Sequence, residues 1–202
     1  GYFGPAGTFT HQALRTITDE EAVAFSSVRE AIEAVRRGEV SGAVVPIENS
    51  VEGGVTATLD ELIAGEPLAI RSEIVIPVEF GLYVREGTKL DDVRQVLTHG
   101  HAAAQCREWL ASMVPQAQVT EAGSTAGAAA EVARQESRYD AAVCARVAGE
   151  TYGLTEIAYA IEDNPGAVTR FVEVCKAGPV ADRTGADKTT IVAFMRADHS
   201  GA

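Results

Sequence analysis

The chain is 202 residues long, 46% apolar and 23% charged, with a formal net charge of −12. That balance describes a globular chain able to bury one sizeable core or two small lobes. The acidic excess excludes a nucleic-acid binder, which needs a basic footprint, and an anionic membrane surface as partner.

In chain order, Gly1-Tyr2-Phe3 reads as a strand already under way, so a few preceding residues are expected. Gly4-Pro5-Ala6-Gly7 is a turn, and Thr8 or Thr10 can cap the helix through Ala13-Leu14. Ala22 to Phe25 is a second strand. Ser27-Val28-Arg29-Glu30 has the form of a capping box, with Val28, Ile32 and Val35 at helical spacing and Gly38 as the stop. Gly42 to Ile47 is a buried strand. Strand, helix, strand, helix, strand is a parallel α/β unit.

The same order returns: strand Arg94–Thr98, helix Ala102–Leu110, strand Ala117–Thr120, an Ala-rich helix Thr125–Arg134 capped by Ser124, and strand Asp140–Cys144. Ser27, Ala31 and Val35 recur at the same offsets as Ser124, Ala128 and Val132. The chain therefore reads as two similar α/β lobes. Leu68–Arg85, with Pro77 inside it, is an extended crossing out of the first lobe. Leu154–Ile161 is extended again and starts the return. Two lobes joined by two crossing strands enclose a cleft, the default place for a small molecule. Gly178–Lys188 reads as a linker, and Thr189–Phe194 as the start of a further strand.

Cys106, Cys144 and Cys175 are odd in number, without metal spacing, and read as buried free thiols of a reducing compartment such as the cytoplasm. No signal peptide or apolar run of spanning length is visible. His99-Gly100-His101 lacks a third ligand nearby, so no metal is expected. No dinucleotide or phosphate-loop glycine pattern appears.

In parallel α/β units ligands sit where strands end and helices begin. The loops there carry Thr8, Ser27, Glu48-Asn49-Ser50, Thr98, and Ser124-Thr125. Each single hydroxyl reads first as a helix cap; their convergence on one cleft makes them candidate anion donors. Glu48-Asn49-Ser50 is the most specific, because a wholly apolar strand ends in three polar groups and two glycines follow. Asn164-Pro165-Gly166 turns the chain into Thr169-Arg170-Phe171, a hydroxyl and a guanidinium at the entrance of a β-branched strand. Strand alternation should point Thr169 and Arg170 to opposite faces unless the turn leaves the strand irregular.

Taken together, Gly4-Pro5-Ala6-Gly7-Thr8-Phe9-Thr10, Val45-Pro46-Ile47-Glu48-Asn49-Ser50, Thr98 to Cys106 with Gln105, Tyr152-Gly153-Leu154 and Thr169-Arg170-Phe171 resemble prephenate dehydratase. The resemblance covers roughly residues 1–178. It implies a type II periplasmic-binding-protein-like fold, with lobe one at 1–76 and 159–178, lobe two at 77–158 and a linker at 179–188. Residues 189–202 would then be the first strand of the regulatory ACT domain, which binds phenylalanine in complete members. The family's later Glu-Ser-Arg-Pro motif is absent, and Thr98-His99-Gly100-His101 stands where the family commonly has Ser-His-Pro-Gln. The implied activity is the decarboxylating dehydration of prephenate to phenylpyruvate in phenylalanine biosynthesis, without a cofactor, by a cytoplasmic homodimer or homotetramer. Thr169 becomes the principal catalytic hydroxyl, with Arg170 and Phe171 beside it and Glu48 as the alternative acid. Asn49, Ser50, Thr98 and Gln105 line the cleft, joined by Thr8, Ser124 and Thr125 from the helix starts. Two rivals are an arogenate dehydratase and a non-catalytic solute-binding or sensor module of the same fold.

Overall fold

The computed structural model describes residues 1–179 and 182–191. Its first sheet is built from β1 (Tyr2–Phe3), β2 (Ala24–Phe25), β3 (Gly42–Asn49), the short β4 (Gly53–Gly54), β5 (Leu68–Pro77) and β11 (Val168–Lys176). The second takes β6 (Gly81–Val84), β7 (Gln95–Thr98), β8 (Gln118–Glu121), β9 (Ala141–Cys144) and β10 (Thr155–Tyr159). Sheet one runs β2-β1-β3-β11-β5, with β4 added to β3; sheet two runs β8-β7-β9-β6-β10. In each, the first three strands are parallel in the order second, first, third, and the last two are antiparallel additions. The two lobes are thus copies of one arrangement, a type II periplasmic-binding-protein-like fold joined by two crossings.

The helices are α1 (Phe9–Arg15), α2 (Val28–Arg37), α3 (Thr56–Ile63), α4 (Gly100–Gln105), α5 (Arg107–Met113), α6 (Thr125–Val132) and α7 (Arg146–Thr151). α2 shows why they form. Ser27 accepts from the Glu30 N–H, Gly38 ends the helix at φ 75°, and Val28, Ala31, Ile32 and Val35 are buried along one side. Burying each of the three larger residues contributes about 1.5–3 kcal/mol. The Glu30 carboxylate differs from the expected capping box: it accepts from the N–H and hydroxyl of Ser26, one residue earlier. Ser124 caps α6 in the second lobe as Ser27 caps α2 in the first.

One helix was expected across Ala102–Leu110, and two are found, broken at Cys106. The returning crossing breaks it. The Asp163 N–H donates to the Gln105 carbonyl, and the Asp163 carboxylate accepts from the Glu108 and Trp109 N–H groups, capping α5. The extended run Leu68–Arg85 is likewise interrupted at 78–80, where the Val78 N–H reaches the Ala167 carbonyl and the Ile161 N–H the Phe80 carbonyl. The two crossings are therefore clipped to each other. Residues 189–191 of the strand expected at 189–194 form no strand, and the remainder lies outside the described residues.

The lobes also touch through the loop that enters α1. Phe9 meets Phe80 edge-on at 5.6 Å. The Tyr152 hydroxyl donates to the Ala6 carbonyl at 3.3 Å. Gly7, at φ +83°, leaves no room for a side chain, since a Cβ there would sit 3.0 Å from the Ala148 backbone.

A second close approach gives a test. A Cβ on Gly149 would lie 2.3 Å from the Tyr83 ring. That ring is buried and its hydroxyl donates to Glu156 at 2.5 Å, so it has nowhere to go. Gly149→Ala should cost about 1–3 kcal/mol, read as a Tm lower by several degrees. Gly123→Ala, where a Cβ meets nothing within 4 Å, should change stability by less than about 0.5 kcal/mol.

Candidate active site

β11 enters sheet one between β3 and β5, so its first residues lie beside the last residues of β3. Along β11 the faces alternate. Val172 and Val174 pack with Ala43, Val45 and α2, whereas Phe171 packs with Tyr2, Leu14, Val44 and Ile76 on the α1 side. Thr169 shares the face of Phe171, and Arg170 the face of Val172. Pairing of β11 with β5 runs without a break from Val168 to Glu173, so alternation holds along β11 and the two side chains part. This is the parting that strand alternation predicts for a regular strand.

The register then shifts by one. Phe171 pairs with Pro46, but Arg170 pairs with Glu48 and Thr169 with Asn49, leaving Ile47 as the extra residue of β3. Without that shift Glu48 would face Thr169. With it, the Asn49 amide meets Thr169, and its Nδ2 donates to the Thr169 Oγ1 at 2.9 Å. The amide cannot turn round, because its Oδ1 already accepts from the Val51 and Glu52 N–H groups. Thr169 is 8% exposed, and its own hydroxyl hydrogen has no acceptor among the described residues. It is therefore a donor held in place by a donor.

On the other face the Glu48 carboxylate pairs with Arg170 at 3.1 Å, both about half exposed. Arg170 also lies 4.0 Å from Glu73 on β5, a residue the sequence reading did not single out. Ser50 closes the end of β11: its N–H donates to the Val168 carbonyl and its Oγ accepts from the Val168 N–H.

From lobe two, His101 at the start of α4 reaches across to Glu52 at 2.5 Å. Gln105 is four residues on and shares that side of α4; it is half-buried. The His101–Glu52 contact brings α4 to face the loop after Asn49.

Several other candidates are used up locally. The Thr8 hydroxyl donates to the Pro5 carbonyl and accepts from the His11 N–H, so it caps α1. Ser124 accepts from the Gly127 N–H as the cap of α6, whereas Thr125, the first residue of that helix, makes no side-chain hydrogen bond among the described residues. Thr98 is fully buried and donates to the Val143 carbonyl at 2.7 Å. The backbone pairing of β7 with β9 ends at Leu97 and Ala142, so that carbonyl needs a side-chain donor. Phe171 is 1% exposed and belongs to the core. Burial pushes the Cys106 and Cys144 thiols up to about 12, whereas Cys175 is only half-buried. Among the described residues no group of three His, Cys, Asp or Glu could hold a metal ion. A groove of about 560 Å³, lined by Leu14, Glu20, Glu39, Gly42, Arg71 and Glu173, lies at the opposite end of sheet one. It is seven residues along β3 from Asn49, roughly 20 Å away, and holds none of these groups.

Comparison with known proteins decides the family. The family model for prephenate dehydratase matches residues 1–179. The chain belongs to the prephenate dehydratase family. The prephenate dehydratase of Amycolatopsis methanolica is 48% identical over 196 residues, covering 95% of this chain and 63% of the relative. The chain thus spans a little under two thirds of that relative's length. The crystal structure of the prephenate dehydratase from Arthrobacter aurescens in complex with L-Phe is 45% identical with a TM-score of 0.85, covering 92% of this chain and 62% of the other. A structure described as a quorum-quenching acylase, GqqA, is 28% identical with a TM-score of 0.79, covering 90% and 65%. Since one backbone can host different chemistries, the geometry of the site in this prephenate dehydratase family member must carry the functional argument.

That geometry is testable without substrate. Asn49→Ala removes the donor to Thr169 and the acceptor for two backbone N–H groups, and should cost about 1–3 kcal/mol in urea unfolding. Asn49→Asp keeps the acceptor, so it should lose less than half as much stability while still removing the donor.

Proposed function

We propose that the chain catalyses the decarboxylating dehydration of prephenate to phenylpyruvate, with Thr169 as the group that donates to the departing hydroxyl. The observation that carries the proposal is the 2.9 Å bond from Asn49 Nδ2 to Thr169 Oγ1. It leaves the threonine hydrogen free to point at a substrate oxygen. In the reaction the bond from the ring to the carboxylate breaks, carbon dioxide leaves, the bonding electron pair enters the ring, and the ring carbon–oxygen bond opposite breaks with its pair going to the oxygen. The oxygen leaves as water once it gains a proton, and aromatisation supplies the driving force. As Thr169 gives up its hydrogen, charge grows on Oγ1, and the fixed Asn49 N–H is already placed to stabilise it until a solvent proton restores the hydroxyl. A positioned donor of this kind contributes about 100- to 10,000-fold.

Glu48 is less suited to that step, because its carboxylate lies with Arg170 on the face away from the Thr169 hydroxyl. Arg170 fits a supporting part: it fixes Glu48, and with it the end of β3 that presents Asn49. Gln105 and His101, on the side of α4 that meets the Glu52 loop, supply the opposing wall. The L-Phe bound in the Arthrobacter aurescens structure supports phenylalanine as an effector; we further propose that it acts on a homo-oligomer through an ACT domain. No helix among the described residues is long and apolar enough to cross a membrane, in keeping with cytoplasmic biosynthesis.

Formation of phenylpyruvate from prephenate tests the proposal, with arogenate as a parallel substrate. Thr169→Val should lower kcat by about 100- to 10,000-fold with the fold intact, and Thr169→Ser should recover most of it. Glu48→Gln should cost no more than about fivefold, the scale of an exposed ion pair. Near-parent turnover by Thr169→Val, or a collapse in Glu48→Gln alone, would transfer the acid role to Glu48. Saturable binding of prephenate without product would instead favour the solute-binding reading.

A further inference from the structure

The β11 ladder ends at Lys176, paired with Leu68 at the end of sheet one far from Thr169. The chain nevertheless comes back. Lys188, in the stretch that follows, places its ammonium 2.5 Å from Glu73 Oε1 in the middle of β5. The same oxygen lies 4.0 Å from Arg170 Nε, and Arg170 Nη2 lies 3.1 Å from Glu48. Lys188, Glu73, Arg170 and Glu48 form a row of alternating charges along one face of the sheet. The row runs from the segment beyond the matched family region to the strand end that carries Asn49. Lys188 holds the Glu73 carboxyl below its usual range by hydrogen bonding, so that oxygen is engaged.

We propose that Glu73 is a positioning residue for Arg170, and that Lys188 controls it by occupying the oxygen Arg170 would otherwise take. With Lys188 in place, Arg170 rests on Glu48. With Lys188 withdrawn, a movement of about 1 Å completes the Arg170–Glu73 pair and loosens the hold on Glu48. The segment after β11 thereby tunes the site without touching substrate. The link to turnover rests on the function proposed above; the charge competition itself does not.

The experiment uses Lys188→Gln, Glu73→Gln and the double variant in the full chain, with two readouts. The first is the Arg170 side-chain Nε–H resonance, assigned with Arg170→Lys and followed by nitrogen-15 NMR. The second is kcat and KM on prephenate. Lys188→Gln should move the Arg170 resonance and lower kcat/KM by about two- to fivefold. Both effects should vanish in the Glu73→Gln background, and should fade near ~1 M salt, where exposed charges are screened. An Arg170 resonance unmoved by Lys188→Gln, or moved equally when Glu73 is already Gln, overturns the proposal. A moved resonance with unchanged kcat and KM in an active enzyme overturns the link from Arg170 to the site. If the parent chain makes no phenylpyruvate, the functional reading falls and the resonance still decides the charge competition.

Discussion

One residue without a partner, Ile47 in the ladder between β3 and β11, decides which side chain faces Thr169. The alternatives differ in kind. A carboxylate opposite the hydroxyl would accept its hydrogen and withdraw it from any substrate. An amide nitrogen donates to the oxygen and leaves that hydrogen available. The shift brings up Asn49 and turns Glu48 to the other face, where Arg170 receives it. Such irregularities re-aim side chains beside active sites. This one costs β3 a ladder position with β11, and the Ile47 carbonyl accepts from the Val55 N–H.

The duplicated fold makes the rim possible. In each lobe the fourth strand of the sheet comes from a crossing rather than from the lobe's own unit: β11 beside β3, β6 beside β9. β11 therefore delivers Thr169 to a strand more than a hundred residues earlier in the chain, beside the seam between lobes. Several contacts hold that seam. Phe9 lies against Phe80, Gly7 against Ala148, Tyr152 bonds to the Ala6 carbonyl, and Asp163 is bound into the break between α4 and α5. That break also ends α4 at Gln105, so the element opposite Asn49 is fixed by the same crossing that leads to Thr169.

Much of this layout was legible in the sequence. The paired helices capped by Ser27 and Ser124, and the small-residue strands after them, follow from local chemistry that sequence displays directly. The site was harder to read. Thr8, Ser124 and Thr98 are hydroxyls at strand ends, and the same residue types serve as caps, carbonyl partners or ligands; only the bonds they make tell these apart. The parting of Thr169 and Arg170 was legible from alternation, but which residue of β3 meets Thr169 was not, because it depends on the register with β3. Pro46 was a usable signal: a proline inside a strand that reads as buried points to a local irregularity. Glu73 carried no signal, since it comes near Arg170 through strand pairing and meets Lys188 through a side-chain bond from the segment after β11, each across about a hundred residues of sequence.

The central claim is that chemistry takes place on the Asn49–Thr169 face, not on the face of Glu48 and Arg170. A crystal structure of the Thr169→Val variant soaked with prephenate tests it most directly. The account predicts the ring hydroxyl of the substrate within hydrogen-bond distance of the Asn49 amide, on the α1 side of the sheet. Prephenate bound instead against Arg170 and Glu48, with Asn49 still turned away, would contradict it.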